Sequence, residues 1–429
     1  MNNGPTSSSK WVYDSPVLSD VEAKLRRFLI ESANDGLIIG IQVCAYKDGK
    51  VIIDTAAGVL GKDDPRPVQP DSLFPVFSAT KGVTAGMVHW LADKGKLKLD
   101  ENVANIWPEF GNNGKDQIKV NHILNHTAGL HNALADIAND PTSLCDWDEC
   151  LKRIAMVAPE TEPGSQQMYH RQAYGWLCGG IIEHASGKKF QDVLEDAFLR
   201  PLNVEGEFYI GIPPGMESRV ATVTIDPSDL NKLTNFLTAM ATSPTPVLPS
   251  SFIAEAVERG ISIANELNIR RAILPAGNGH FSARALARFY AALVDCGVVP
   301  LPHPSTTTKT KETIDSSDDV DSKIFTNAKA NMHDAFLGSG YYKELTFPNG
   351  KFGLGFGRFN ATDGSVIGFG HAGLGGSVGY GDINNRFAIA VTLNKLSIGT
   401  LTGEIIRFVC LELNLPVPAD YAGSTAKVN

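Results

Sequence analysis

The strand signals of this chain gather at its two ends. IIGIQVCAYKDGKVIIDTAAGVL, residues 38–60, reads as two β-branched runs around Asp48-Gly49, a hairpin turn signal. KFGLGFGRF, SVIGFGHAGLGGSVGYGD and RFAIAVTLNKL read as further strands between residues 351 and 396. Between them the pattern is mostly helical. Strands so far apart in the chain are most simply joined in one antiparallel sheet. Helices predicted at Leu18–Ala33 and about Gly399–Glu412 flank it, and the helical region is an insertion. The expected fold class is therefore α/β of the α+β type. Residues 1–15 read as a flexible arm, 16–412 as one domain and 413–429 as a C-terminal tail. Within the domain, sheet portions fall at about 16–75 and 340–412, and the helical portion at about 78–330.

Composition removes several function classes. The 429 residues carry a formal net charge of -9, and no strong basic run appears, so nucleic acid and anionic membranes have no electrostatic footprint here. No apolar run reaches the roughly 18 residues of a membrane span. MNNGPTSSSKWVYDSPVLSD has no apolar core of a secretory signal, so the expected location is cytoplasmic. The six cysteines are scattered and form no CxxC pair, which favours free thiols, although Cys145 and Cys150 are close enough for a local bridge. PHPSTTTKTKETIDSSDDVDSK, residues 302–323, reads as an exposed loop.

The chemistry concentrates in FPVFSATKGVTAGMVHWLADKGKLKLD, residues 74–100. Ser78 and Lys81 are three apart at the head of a predicted helix from about Ser78 to Lys94, so they share a face. A serine there has a backbone N–H free of the helix ladder, able to polarise an oxyanion. A lysine buried among Phe74, Val76, Phe77, Val83 and Met87 can act as a base if its pKa falls. By itself this spacing also suits an ordinary early-turn serine and a solvated lysine.

Taken with VNHILNHTAGL, this stretch resembles the serine beta-lactamase-like superfamily. That group includes class C beta-lactamases, DD-peptidases, family VIII carboxylesterases and D-aminopeptidases. The resemblance runs from about residue 20 to 410 and implies a beta-lactamase/transpeptidase-like fold. It makes Ser78-Ala-Thr-Lys81 the S-x-x-K element. In PGSQQMYHRQAYGWLCGG it makes Tyr169 the catalytic tyrosine, with Arg171 where Asn is usual. Lys81 and Arg171 would supply the cations a phenolate needs near neutrality. In place of K-T-G stands His371-Ala372-Gly373, where His371 would orient the tyrosine hydroxyl or bind a carboxylate, titrating near physiological pH. The Leu374 N–H would pair with that of Ser78 as the oxyanion site, and Gly373 would allow close approach.

The resemblance implies an acyl-enzyme hydrolase of small carboxylic esters, with no cofactor and a small-molecule ester or amide as its partner. Amidase, D-aminopeptidase or beta-lactamase action is a second reading. Acyl transfer or ring closure through the same Ser-Lys-Tyr site is a third, and a non-catalytic ligand-binding or structural descendant a fourth. His122 and His126 have zinc-compatible spacing, but no third ligand accompanies them, so they read as structural. Glu183, His184 and Asp382 read as surface or local hydrogen-bonding groups. GLGFG and GLGGSVG lack the strand–GxGxxG–helix grammar of a nucleotide site. Oligomeric state is left open.

Overall fold

The computed structural model describes residues 14–135, 137, 140–240, 250–304, 323–326 and 332–423. Its centre is a seven-stranded antiparallel sheet made from the two chain ends. The strands are β1 (Gly40–Lys47), β2 (Lys50–Gly61), β3 (Asp64–Pro67), β4 (Gly357–Asn360), β5 (Val366–Ala372), β6 (Val378–Asp382) and β7 (Phe387–Leu393). Their order is β3-β2-β1-β7-β6-β5-β4. The seam between the two ends is the β1–β7 ladder, which runs from Ile41 opposite Leu393 to Lys47 opposite Phe387. Asp48 and Gly49 both take positive φ, 52° and 76°, as the two-residue turn between β1 and β2 requires.

Side-chain alternation separates the two faces. Phe387, Ile389, Val391 and Leu393 pack with Leu25 and Leu29 of α1 (Asp20–Asn34) and with Ile405, Ile406 and Val409 of α5 (Thr400–Glu412). Ala388 and Ala390 join the larger core on the opposite face. That face receives α2 (Thr80–Asp93), α3 (Ala173–Ser186) and α4 (Ala283–Val294). The α4 helix lies directly on the sheet. A Cβ at Gly379 of β6 would come within 2.1 Å of the Tyr290 ring, so only glycine permits this approach.

His280 lies just outside the α4 helix, although the apolar run of residues 279–293 has a helical pattern. Gly279–Phe281 is instead a short strand between Phe74–Pro75 and Phe208–Ile210. The helix begins after Ser282, whose hydroxyl accepts from the Ala285 N–H at 3.0 Å and so caps it. All six cysteines are free thiols. Most of the predicted 302–323 loop lies outside the described residues. Among the described residues no helix is long and apolar enough to cross a membrane.

Candidate active site

The chain leaves the short Phe74–Pro75 strand through a constrained turn. Phe77 takes φ 47°, a left-handed conformation that is uncommon for a bulky residue. Three hydrogen bonds hold it there. The Val76 N–H donates to the Gly279 carbonyl (2.9 Å), the Thr80 hydroxyl donates to the Phe77 carbonyl (2.5 Å), and the Gly279 N–H donates to Thr80 Oγ1 (2.8 Å). The α2 helix starts at Thr80, two residues later than the sequence pattern suggests, so Ser78 projects from the turn and not from the helix. Neither the Ser78 N–H nor the Leu374 N–H donates to another group among the described residues.

Lys81 is wholly buried. Its Nζ lies 3.2 Å from Ser78 Oγ and donates to the Ala276 carbonyl at 2.9 Å. No carboxylate compensates it. Burial first, and then the charge of Arg171, hold the amine well below the usual lysine range. The Ala276 carbonyl was not singled out from sequence. Its one signal is the turn-rich run Pro275-Ala276-Gly277-Asn278-Gly279. That loop is tied down when Asn278 Nδ2 donates to the Ile269 (2.6 Å) and Ala272 (2.8 Å) carbonyls and Thr84 donates to that of Pro275 (2.7 Å).

Tyr169 stands over the pair, with Lys81 Nζ 4.9 Å from its ring centroid. Withdrawal from water pushes its phenol up to about 12, against the opposing pull of a hydrogen bond with Ser78 and the Arg171 charge. The expectation of a cation-stabilised phenolate is therefore corrected. Burial lowers the pKa of the Lys81 amine and raises that of the Tyr169 phenol, which favours the uncharged form of each. Phe352 stacks on the Tyr169 ring with centroids 5.7 Å apart, and His126 packs on it at 4.7 Å. Tyr174 is fully buried against His126 at 4.8 Å.

His371 is buried at the end of β5, 6.3 Å from the Tyr169 ring centroid. Burial and then the Lys81 charge push it down to about 3. It is neutral near neutrality, so it is neither a physiological-pH titrator nor a cation for a carboxylate, as the sequence had suggested. Its Nδ1 lies 3.0 Å from the Ala372 carbonyl, which can only accept. Nδ1 thus carries the proton, and Nε2 is a buried acceptor with no protein partner among the described residues.

Gly373 touches the turn that carries Ser78. A Cβ there would lie 2.0 Å from the Val76 carbonyl oxygen. Leu374 follows it in the turn, which closes as the Gly373 N–H donates to Ser377 O (2.7 Å). Arg171 is exposed beside Tyr169 and makes no ion pair among the described residues. The structure thus brings Ser78, Lys81, Tyr169, Arg171, His371, Gly373 and Leu374 to one place.

Other candidates lie in local structure. His122 Nδ1 accepts from the Lys119 N–H (3.2 Å), and His126 Nδ1 accepts from that of His170 (3.1 Å). Glu183 accepts from Trp147 Nε1 and the Phe190 N–H, and Asp382 from Asn385. The described residues contain no group of three His, Cys, Asp or Glu able to hold a metal.

A family model described as beta-lactamase matches residues 25–404. The chain is 30% identical over 361 residues to esterase/beta-lactamase LipL of Mycobacterium tuberculosis, a match covering 83% of this chain and 77% of that protein. Esterase EstB of Burkholderia gladioli is 25% identical over 211 residues, 46% of this chain and 53% of the relative. A penicillin-binding protein homologue from Caulobacter crescentus superposes with a TM-score of 0.68 at 28% identity, covering 90% of this chain and 94% of that one. A family VIII carboxylesterase shares the fold, with a TM-score of 0.66 at 24% identity and the same coverages of 90% and 94%. With the match spanning most of its length, this chain belongs to the beta-lactamase family and is a serine hydrolase of the beta-lactamase/transpeptidase-like fold.

Proposed function

We propose that the protein hydrolyses small carboxylic esters through an acyl-enzyme on Ser78. The observation that carries this reading is the buried Lys81 amine, 3.2 Å from Ser78 Oγ and without a carboxylate partner. A lysine whose burial favours the neutral form is a base at neutral pH, and its nearest hydroxyl is the nucleophile it serves.

Ser78 Oγ forms a bond to the ester carbonyl carbon as its proton passes to Lys81. The N–H groups of Ser78 and Leu374 receive the oxyanion. The carbon–oxygen bond to the alcohol breaks as Tyr169 donates its proton to the departing oxygen, and Lys81 reprotonates the tyrosine. Water then adds to the acyl carbon while its proton goes to the same pair. Collapse releases the carboxylic acid and returns the proton to Ser78 Oγ. A protonated tyrosine between a neutral lysine and the leaving oxygen suits this relay, and the two groups titrate as a coupled pair. Neutral His371 in place of lysine, and Arg171 in place of asparagine, weigh against efficient turnover of beta-lactams. The free cysteines support a cytoplasmic setting for the activity.

Intact-mass analysis with a fluorophosphonate, run beside hydrolysis of a short-chain p-nitrophenyl ester, tests this directly. The parent protein gains one adduct and turns over the ester, and S78A does neither. A folded parent that takes no adduct and hydrolyses no ester would overturn the reading in favour of a binding role.

A further inference from the structure

Two exposed cations act on the groups of the site, Arg171 on Lys81 and Tyr169 and Lys351 on His371. Arg171 lies two residues beyond Tyr169 in the chain. Lys351 is carried by a loop pinned to Gln167, two residues before Tyr169. The Lys351 N–H donates to Gln167 Oε1 at 2.8 Å, and Gln167 Nε2 donates to the Asn125 carbonyl at 2.8 Å. The next residue, Phe352, stacks on Tyr169 and lies 5.9 Å from the His371 ring centroid, which fixes Lys351 beside the site. Neither cation makes an ion pair among the described residues. The cations felt at Lys81, Tyr169 and His371 are Arg171, Lys351 and Lys81; the one opposing group is the Cys178 thiol near Lys81, and no carboxylate is among them. Elsewhere on the surface many arginines and lysines are paired, as with Arg66–Asp64, Arg200–Glu195 and Arg386–Asp295.

We infer that the site takes esters bearing a second, ionised carboxylate, which Arg171 and Lys351 hold across the Tyr169 face. This rests on the esterase reading and adds to it the class of substrate. The planar guanidinium of Arg171 offers a two-pronged match to a carboxylate, and Lys351 offers a second charge without geometric demand. Both are solvent-exposed, so the interaction discriminates between substrates without storing an uncompensated charge in the core.

The test compares mono-p-nitrophenyl glutarate with neutral p-nitrophenyl pentanoate, which has the same leaving group and a similar acyl length. The anionic ester is expected to have the higher kcat/KM by about tenfold or more at low salt, mostly through KM. Raising ionic strength narrows the ratio. R171Q narrows it further, whereas R171K keeps part of it, and free glutarate inhibits the parent competitively more strongly than R171Q. Equal or better use of the neutral ester by the parent, or a ratio unchanged in R171Q, overturns the substrate class and leaves the esterase reading standing. Failure to hydrolyse either ester removes the esterase reading, and the substrate class falls with it.

Discussion

Replacing Gly373 with alanine probes the contact between β5 and the Ser78 turn. The added Cβ would stand 2.0 Å from the Val76 carbonyl oxygen and 3.0 Å from its carbonyl carbon, where real Cβ contacts are essentially never under 3.0 Å. The strand and the turn must therefore separate by about 1 Å. The turn has little freedom to absorb this, because Val76 is bonded to Gly279 and Phe77 is held at positive φ through Thr80. The displacement falls between the Ser78 and Leu374 N–H groups, the proposed oxyanion donors. A misplacement of about 1 Å costs about 10²-fold in rate. G373A is expected to lose that much in kcat on a p-nitrophenyl ester, with KM little changed, and to react with a fluorophosphonate slower by a similar factor. Overpacking adds about 1–3 kcal/mol of destabilisation, visible as an earlier but still cooperative thermal transition. A kcat within about threefold of the parent, less than 1 kcal/mol of barrier, would refute the argument that this contact sets the oxyanion geometry.

Two further outcomes follow from the same geometry. T80V removes the donor to Phe77 and strands the Gly279 N–H, so thermal or denaturant unfolding should show a loss of about 2–3 kcal/mol together with reduced kcat. T80S should recover most of both, and a T80V protein as stable and active as the parent would show that the turn holds without this bridge. The positive charge of Arg171 disfavours protonated Lys81 and so depresses its pKa. Removing that charge raises the pKa, and the acid limb of kcat/KM should move to higher pH in R171Q but stay in place in R171K. A limb that stays in place in R171Q, or moves to lower pH, would remove Arg171 from the electrostatics of the base.

What was legible in the sequence was mostly what is local. Alternation in residues 38–60 and 386–396 carries the faces of β1, β2 and β7, and Asp48-Gly49 carries the turn between the first two. The spacing of Ser78 and Lys81 is itself a statement about adjacency. Their partners were harder to see. The Ala276 carbonyl is 195 residues from Lys81 and has no side-chain chemistry to mark it. The protonation states were also hidden, because they depend on water exclusion by residues distant in the chain. His371 is buried beside Phe352, and this reverses the simple expectation of a titrating histidine. The helix began late for a related reason. The backbone at Phe77 is decided by its bonds to the Gly279 strand and Thr80, not by local propensity.

The seam between β1 and β7 sets the order in which a nascent chain can acquire this sheet. Ile41 and its neighbours leave the ribosome about 350 residues before Leu393, their partner in the ladder. At about 5–20 residues per second that interval is about 20–70 s. Throughout it, the inner edge of the β1–β2 hairpin offers unpaired backbone and apolar side chains to any passing strand. The helical insertion can collapse on itself during this time, but the core between the sheet and α1 cannot close. Translation arrested just before β7 would thus release an adhesive, half-built sheet and not a shorter stable domain. Cells making this protein would need to shelter the hairpin until its last strands emerge.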